Sequence, residues 1–128
     1  MVCDRKKVII VDDDKTVLII ARQILIEKYD VLTATSGSNF FNMLKKVTPD
    51  IILLDVEMPE MNGYEIIKQL KSSEHTANIP VIFSTAHDDP VNKEKGLSSG
   101  AVDYIVKPFD NELFLKLVDK HLPAEIKQ

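Results

Sequence analysis

Asp12-Asp13-Asp14, Asp55 and Lys107 each stand directly after a short apolar run: Val8-Ile9-Ile10-Val11, Ile51-Ile52-Leu53-Leu54, and Val102 to Val106 with Asp103 and Tyr104 inside it. If those runs are neighbouring parallel strands, three carboxylates and one ammonium meet at one edge of a sheet. Carboxylates held that close repel, and at least one stays protonated unless a cation neutralises them. A hard, oxygen-seeking ion such as Mg²⁺ meets that need with one or two carboxylates plus phosphate oxygens. The spacing therefore points to phosphate chemistry at a metal site.

Each residue also has a plainer role to be weighed against this one. Asp55 is either a nucleophile that accepts a phosphoryl group or an acid ending a strand in a turn. Among the three consecutive acids, one suffices to cap a following helix, with Asp13 or Asp14 in place to do so. The functional reading gives Asp13 direct metal contact, Asp12 contact through water, and Asp14 the cap. Thr85 ends a fourth apolar run, and its hydroxyl is suited either to a turn or to a phosphoryl oxygen. Lys107 is a solvated lysine or, beside the acids, a charge that stabilises a transferring phosphoryl group. Lys107-Pro108 is a candidate cis bond that would turn the lysine toward the site.

Short β-branched runs alternate with amphipathic stretches along the whole chain. Strands are expected at Lys7–Val11, Val31–Ala34, Asp50–Leu54, Pro80–Ser84 and Val102–Val106; the third lacks polar alternation, as a strand covered on both faces does. Helical spacing links Val17, Leu18, Ala21, Ile24 and Leu25. A second helix is expected over 38–47 with Phe40, Phe41 and Leu44. A third follows Asn62-Gly63 with Ile66, Ile67 and Leu70, and a last one opens after Asp110 with Leu113, Phe114, Leu117, Val118 and Leu122 on one face. The fourth, around 90–98, is polar, with Val91 and Leu97 as its anchors and Gly96 inside, and should be the least stable. Such alternation predicts a parallel sheet with helices on both sides, which binds ligands beyond the C-terminal strand ends.

The 128 residues suit one domain with a substantial core. A formal charge of −4 argues against direct nucleic-acid binding. Cys3 is the only cysteine, so no internal disulfide forms and a reducing cytoplasm is the natural location; no histidine lies near it in sequence to activate the thiol. No stretch nears the ~20 apolar residues that span a bilayer, and the run after Met1–Lys7 is too short for a secretion signal.

Taken in order, Val11-Asp12-Asp13-Asp14, Asp55-Val56-Glu57-Met58-Pro59 with Asn62-Gly63, Ser84-Thr85-Ala86, and Tyr104-Ile105-Val106-Lys107-Pro108-Phe109 resemble the receiver domain of two-component response regulators, the chemotaxis regulators included. Each piece alone is a weak signal; the series covers nearly the whole chain. The resemblance implies a flavodoxin-like doubly wound α/β fold with a five-stranded parallel sheet in the order 2-1-3-4-5 and helices on both faces. Residues 1–122 would form the receiver domain, and 123–128 a C-terminal tail or the start of a linker. Asp55 would take a phosphoryl group from a phosphohistidine of a sensor histidine kinase or phosphotransfer domain. Mg²⁺ would be held by Asp13, Asp55 and the backbone carbonyl of Glu57, with Asp12 nearby. Thr85 and Lys107 would hold phosphoryl oxygens, and Tyr104 would be the switch aromatic that moves inward as Thr85 shifts. The output surface would be built from the fourth helix, fifth strand and fifth helix, acting on a downstream protein, an output domain or a phosphorylation-dependent dimer. Glu57 and His87, two residues after Asp55 and Thr85, would by the same resemblance occupy places that tune how long the phosphoryl group lasts.

Three other readings stay open. A haloacid-dehalogenase-like phosphatase also uses an aspartyl nucleophile, but its second acid two residues on is here Glu57 rather than Asp. A receiver-fold interaction module without phosphorylation would not need the complete set of acids, hydroxyl and lysine. An FMN-binding module would need a phosphate loop after the first strand, and none is present.

Overall fold

The computed structural model describes residues 5–86 and 90–122. Five strands alternate with five helices: β1 (Lys7–Val11), α1 (Lys15–Leu25), β2 (Asp30–Ala34), α2 (Gly37–Leu44), β3 (Ile51–Asp55), α3 (Gly63–Lys71), β4 (Val81–Thr85), α4 (Pro90–Ser98), β5 (Asp103–Val106) and α5 (Asn111–His121). The sheet has the order β2-β1-β3-β4-β5 and every pairing is parallel. This is the doubly wound architecture that the alternating pattern predicted.

Side chains of a strand alternate between its two faces, and the buried apolar residues divide accordingly. Ile9, Val11, Ile52, Leu54, Val81 and Phe83 pack with Phe40 of α2 and with Ile66, Ile67 and Leu70 of α3. Val8, Ile10, Ile51, Leu53, Ile82 and Ile105 pack on the opposite face with Leu18, Ala21 and Leu25 of α1 and Phe114 and Val118 of α5. All five residues of β3 and of β4 are buried, as expected of central strands with helices above and below.

Helix starts follow local side-chain chemistry. Asp14, Ser36, Asn62 and Asp110 each cap a helix by accepting from a backbone N–H of its first turn. Asn62 and Glu65 form a reciprocal capping box, so the turn after Asp55 leads into α3 with both ends tied.

The expected elements are all present, with shifts at their ends. β3 and β4 run one residue further than the apolar pattern indicated. The ladder continues through Val56 N–H to the Ser84 carbonyl and Lys107 N–H to the Thr85 carbonyl, which places Asp55 and Thr85 inside their strands. Three expected packing residues are corrected. Val91 and Leu97 do not anchor α4: they are 75% and 41% exposed. Among the described residues of that helix the buried one is Gly96, which lies against Phe83. Leu113 also turns away from the core, 49% exposed, while Phe114 and Val118 carry the packing of α5. Tails 1–4 and 123–128, with Cys3, and His87 lie outside the described residues.

This packing predicts unequal mutational costs. Ile67→Ala should lower unfolding stability by about 2–5 kcal/mol, the usual cost of emptying a buried aliphatic site. Val91→Ala should change it by less than about 0.5 kcal/mol, as for a surface site. Urea denaturation checks both; equal losses would contradict the seating of α4 on Gly96.

Candidate metal and phosphoryl site

The parallel register brings the expected residues together. Val11 pairs with Leu54 and Asp55 with Ser84, so Asp12, Asp55 and Thr85 emerge side by side at the C-terminal edge. Asp12, Asp13 and Asp55 each present a carboxylate oxygen, and the three oxygens lie within 4.8 Å of one another. Asp12 and Asp55 are buried, 1% and 4% exposed, whereas Asp13 faces solvent. Asp14 is the helix cap and accepts from Thr16 N–H.

Lys107 reaches this cluster from the end of β5. Its Nζ donates to Asp55 Oδ1 at 3.1 Å and stands 2.7 Å from Asp12 Oδ2. The Lys107–Pro108 bond is cis, as its sequence suggested. Asp12 Oδ1 accepts the Asp14 N–H at 2.9 Å. Asp12 Oδ2 meets the ammonium off the hydrogen-bonding direction and, among the described residues, has no hydrogen-bond donor despite being buried. A buried carboxylate oxygen so placed is unfinished coordination.

Burial raises the Asp55 pKa to about 7, and the charge of Asp12 pushes it the same way. Lys107 and the Glu57 backbone N–H, which donates to the Asp55 carboxylate, pull it partly back. Burial disfavours the charged form of Lys107, but its close contact with Asp12 and the charge of Asp55 outweigh this, so its pKa is raised and it stays an ammonium. Metal ligation requires ionised carboxylates, and three of them beside one ammonium would leave two negative charges in a partly desolvated corner. A divalent ion bound by oxygen ligands matches both that charge and that donor set. The Asp12, Asp13 and Asp55 carboxylates therefore fit a divalent ion such as Mg²⁺.

Thr85 is buried and opens onto a cleft of about 630 Å³ that Val56, Glu57, Met58, Asn62, Tyr64, Asn92 and Lys95 also line. The Glu57 side chain is exposed at the rim. Tyr104 is buried on β5, where it pairs with Phe83. Asn92, Lys95 and Tyr64 carry no signal in the sequence, because nothing local marks a residue as facing a distant strand end. The Asn62-x-x-Glu65 spacing is a capping signal legible along the chain.

A sequence model of the response regulator receiver domain matches residues 8–119. The chain belongs to that family. It is 36% identical over 115 residues to Protein PilH of Pseudomonas aeruginosa, covering 88% of this chain and 94% of that protein. A probable cyclic di-GMP phosphodiesterase of Vibrio cholerae is 40% identical over 115 residues, covering 90% of this chain but 26% of that protein. This receiver domain thus spans about a quarter of the length of some curated relatives that it matches. Among solved structures, the chemotaxis protein CheY4 of Vibrio cholerae superposes with a TM-score of 0.86 at 31% identity, covering 92% of this chain and 99% of that one. A putative response regulator from Chloroflexus aurantiacus reaches 0.88, also at 31% identity, over 92% and 98% of the two chains. Receiver domains of this family act in signalling, between histidine kinases and downstream targets. No described helix is long and apolar enough to cross a membrane.

The raised Asp55 pKa sets the sign of two pH effects. On folding without metal, Asp55 holds its proton between pH 4 and about 7 while the unfolded chain has lost it. Unfolding stability should therefore fall as pH rises through that window, and Asp55→Asn should flatten the slope. Metal ligation requires the ionised carboxylate, so apparent Mg²⁺ affinity should weaken as pH drops below about 7. Denaturant titrations and calorimetric Mg²⁺ titrations at several pH values check both; an affinity independent of pH would contradict the placement of Asp55.

Proposed function

We propose that Asp55 of this receiver domain is the phosphoacceptor and that a sensor histidine kinase or phosphotransfer domain supplies the phosphoryl group. The observation that carries this reading is the convergence of Asp12, Asp13 and Asp55 with the Lys107 ammonium at one sheet edge. An Asp55 carboxylate oxygen attacks phosphorus in line, the P–N bond to the donor imidazole breaks, and the imidazole leaves with that electron pair. The product is an aspartyl phosphate. When bound, Mg²⁺ supplies positive charge against the phosphoryl oxygens; Asp13, Asp55 and the Glu57 carbonyl would hold it, with Asp12 through water.

The remaining work falls to this chain's own residues. Phosphoryl transfer needs chiefly positioning and charge neutralisation. Lys107 is already within ion-pair distance of both buried acids, so it can follow charge onto the new phosphoryl oxygens as Asp55 loses its own. Thr85, one residue beyond the Ser84 that pairs with Asp55, offers a hydroxyl to one of those oxygens. Its displacement would reset Tyr104 and bias the surface formed by α4, β5 and α5. In this reading the domain assists its own phosphorylation and dephosphorylation but turns over no separate substrate. Its partner on the output side is a downstream protein, an attached output domain or a second phosphorylated copy. The cytoplasmic location expected from the sequence belongs to the same proposal.

Incubation with a small acyl phosphate and Mg²⁺ should add one phosphoryl group, read by intact mass, and Asp55→Asn or omission of Mg²⁺ should abolish it. Thr85→Ala should still accept the group but lose the accompanying change in amide hydrogen exchange over 90–98. Wild-type protein that stays unlabelled would sink the reading.

A further inference from the structure

Phe83 is fully buried on β4, two residues before Thr85, and two glycines from different elements close on its ring. A Cβ added to Gly63, at the start of α3, would lie 3.0 Å from Phe83 Cε1 and 2.6 Å from the Asp55 carbonyl oxygen. A Cβ added to Gly96, within α4, would lie 2.9 Å from Phe83 Cδ2. Neither distance accommodates a side chain unless something shifts. Tyr64 packs edge-on against the same ring, with centroids 5.3 Å apart and planes at 66°, and Lys95 Nζ stands 4.4 Å from the Tyr64 centroid. Gly63 N–H also bonds to the Val56 carbonyl at 2.9 Å, which closes the loop that begins at Asp55.

One ring thus separates the loop of the candidate metal site from α4. The helix also runs along β5, but its larger apolar residues Val91 and Leu97 face outward. We propose that Phe83 is a positioning residue: wedged between Gly63 and Gly96, it sets where the Asp55–Gly63 loop stands and ties that position to the seating of α4. This rests on the reading of Asp55 as a Mg²⁺-dependent phosphoacceptor and adds a route from loop to helix separate from Thr85 and Tyr104. Close-packed interiors pass on displacements rather than absorbing them, so a methyl pressed on one side of the ring moves the other side. Coupling of this kind is reciprocal: what α4 does to Mg²⁺ affinity, Mg²⁺ does to the protection of α4.

The test compares Mg²⁺ dissociation constants, urea stability and hydrogen exchange in the wild type, Gly96→Ala, Phe83→Leu and the double variant. Gly96→Ala should weaken Mg²⁺ binding about threefold or more, within the usual range for residues that modulate coupling. It should also speed exchange over 55–63 in metal-free protein. The double variant should recover most of the affinity, because the smaller side chain makes room for the methyl. Val91→Ala, on the same helix but away from the ring, should bind as the wild type does. If Gly96→Ala fails to fold, Phe83→Leu alone carries the test and should also weaken binding about threefold. Folded variants with wild-type affinity, or a double variant no better than Gly96→Ala, would overturn the coupling. Wild-type protein that neither binds Mg²⁺ nor takes the phosphoryl label removes the underlying function as well.

Discussion

Asp12 and Asp55 are buried acids that share one ammonium. Their repulsion, together with their loss of water, costs free energy that Lys107 only partly offsets. Isolated acids so placed would move apart or neutralise. Here neither can move freely, because Asp55 ends a strand buried along its whole length and Asp12 directly follows another. The core on both faces of the sheet holds the strand ends in register, and the register holds the charges. The site is thus a local strain maintained by distant packing, and it makes the corner receptive to a divalent cation and then to a phosphoryl group.

The same packing is unevenly distributed. α1 and α5 on one face, and α2 and α3 on the other, insert large side chains into the core. α4 inserts none of its exposed apolar residues and instead rests a glycine on Phe83, with Lys95 over Tyr64. Fewer buried contacts mean that opening this helix costs less free energy than opening its neighbours. A loosely seated helix beside a fixed charged corner suits the switching proposed above.

Much of this was legible along the chain. Apolar runs and helical spacing located the elements, because burial on one face or on both leaves a local trace. Asp12, Asp13, Asp55, Thr85 and Lys107 stood out since each follows an apolar run, and the structure gathers them as that placement implied. The failures have a common origin. Val91, Leu97 and Leu113 fit helical spacing, yet spacing does not say which face of a helix meets the sheet. The ends of β3 and β4 ran one residue long because ladder hydrogen bonds from neighbouring strands, rather than hydrophobicity, decide where a strand stops.

The amino-acid sequence by itself determined the kinds of group available, their order, and the parallel α/β frame that would bring strand ends together. Only the tertiary structure decided that one lysine bridges both buried acids, that Asp55 titrates near neutrality, and that Gly96 rather than a larger residue seats α4. These properties depend on separations of a few ångströms between residues far apart along the chain, and on how much water the fold leaves between them. No local pattern encodes either quantity.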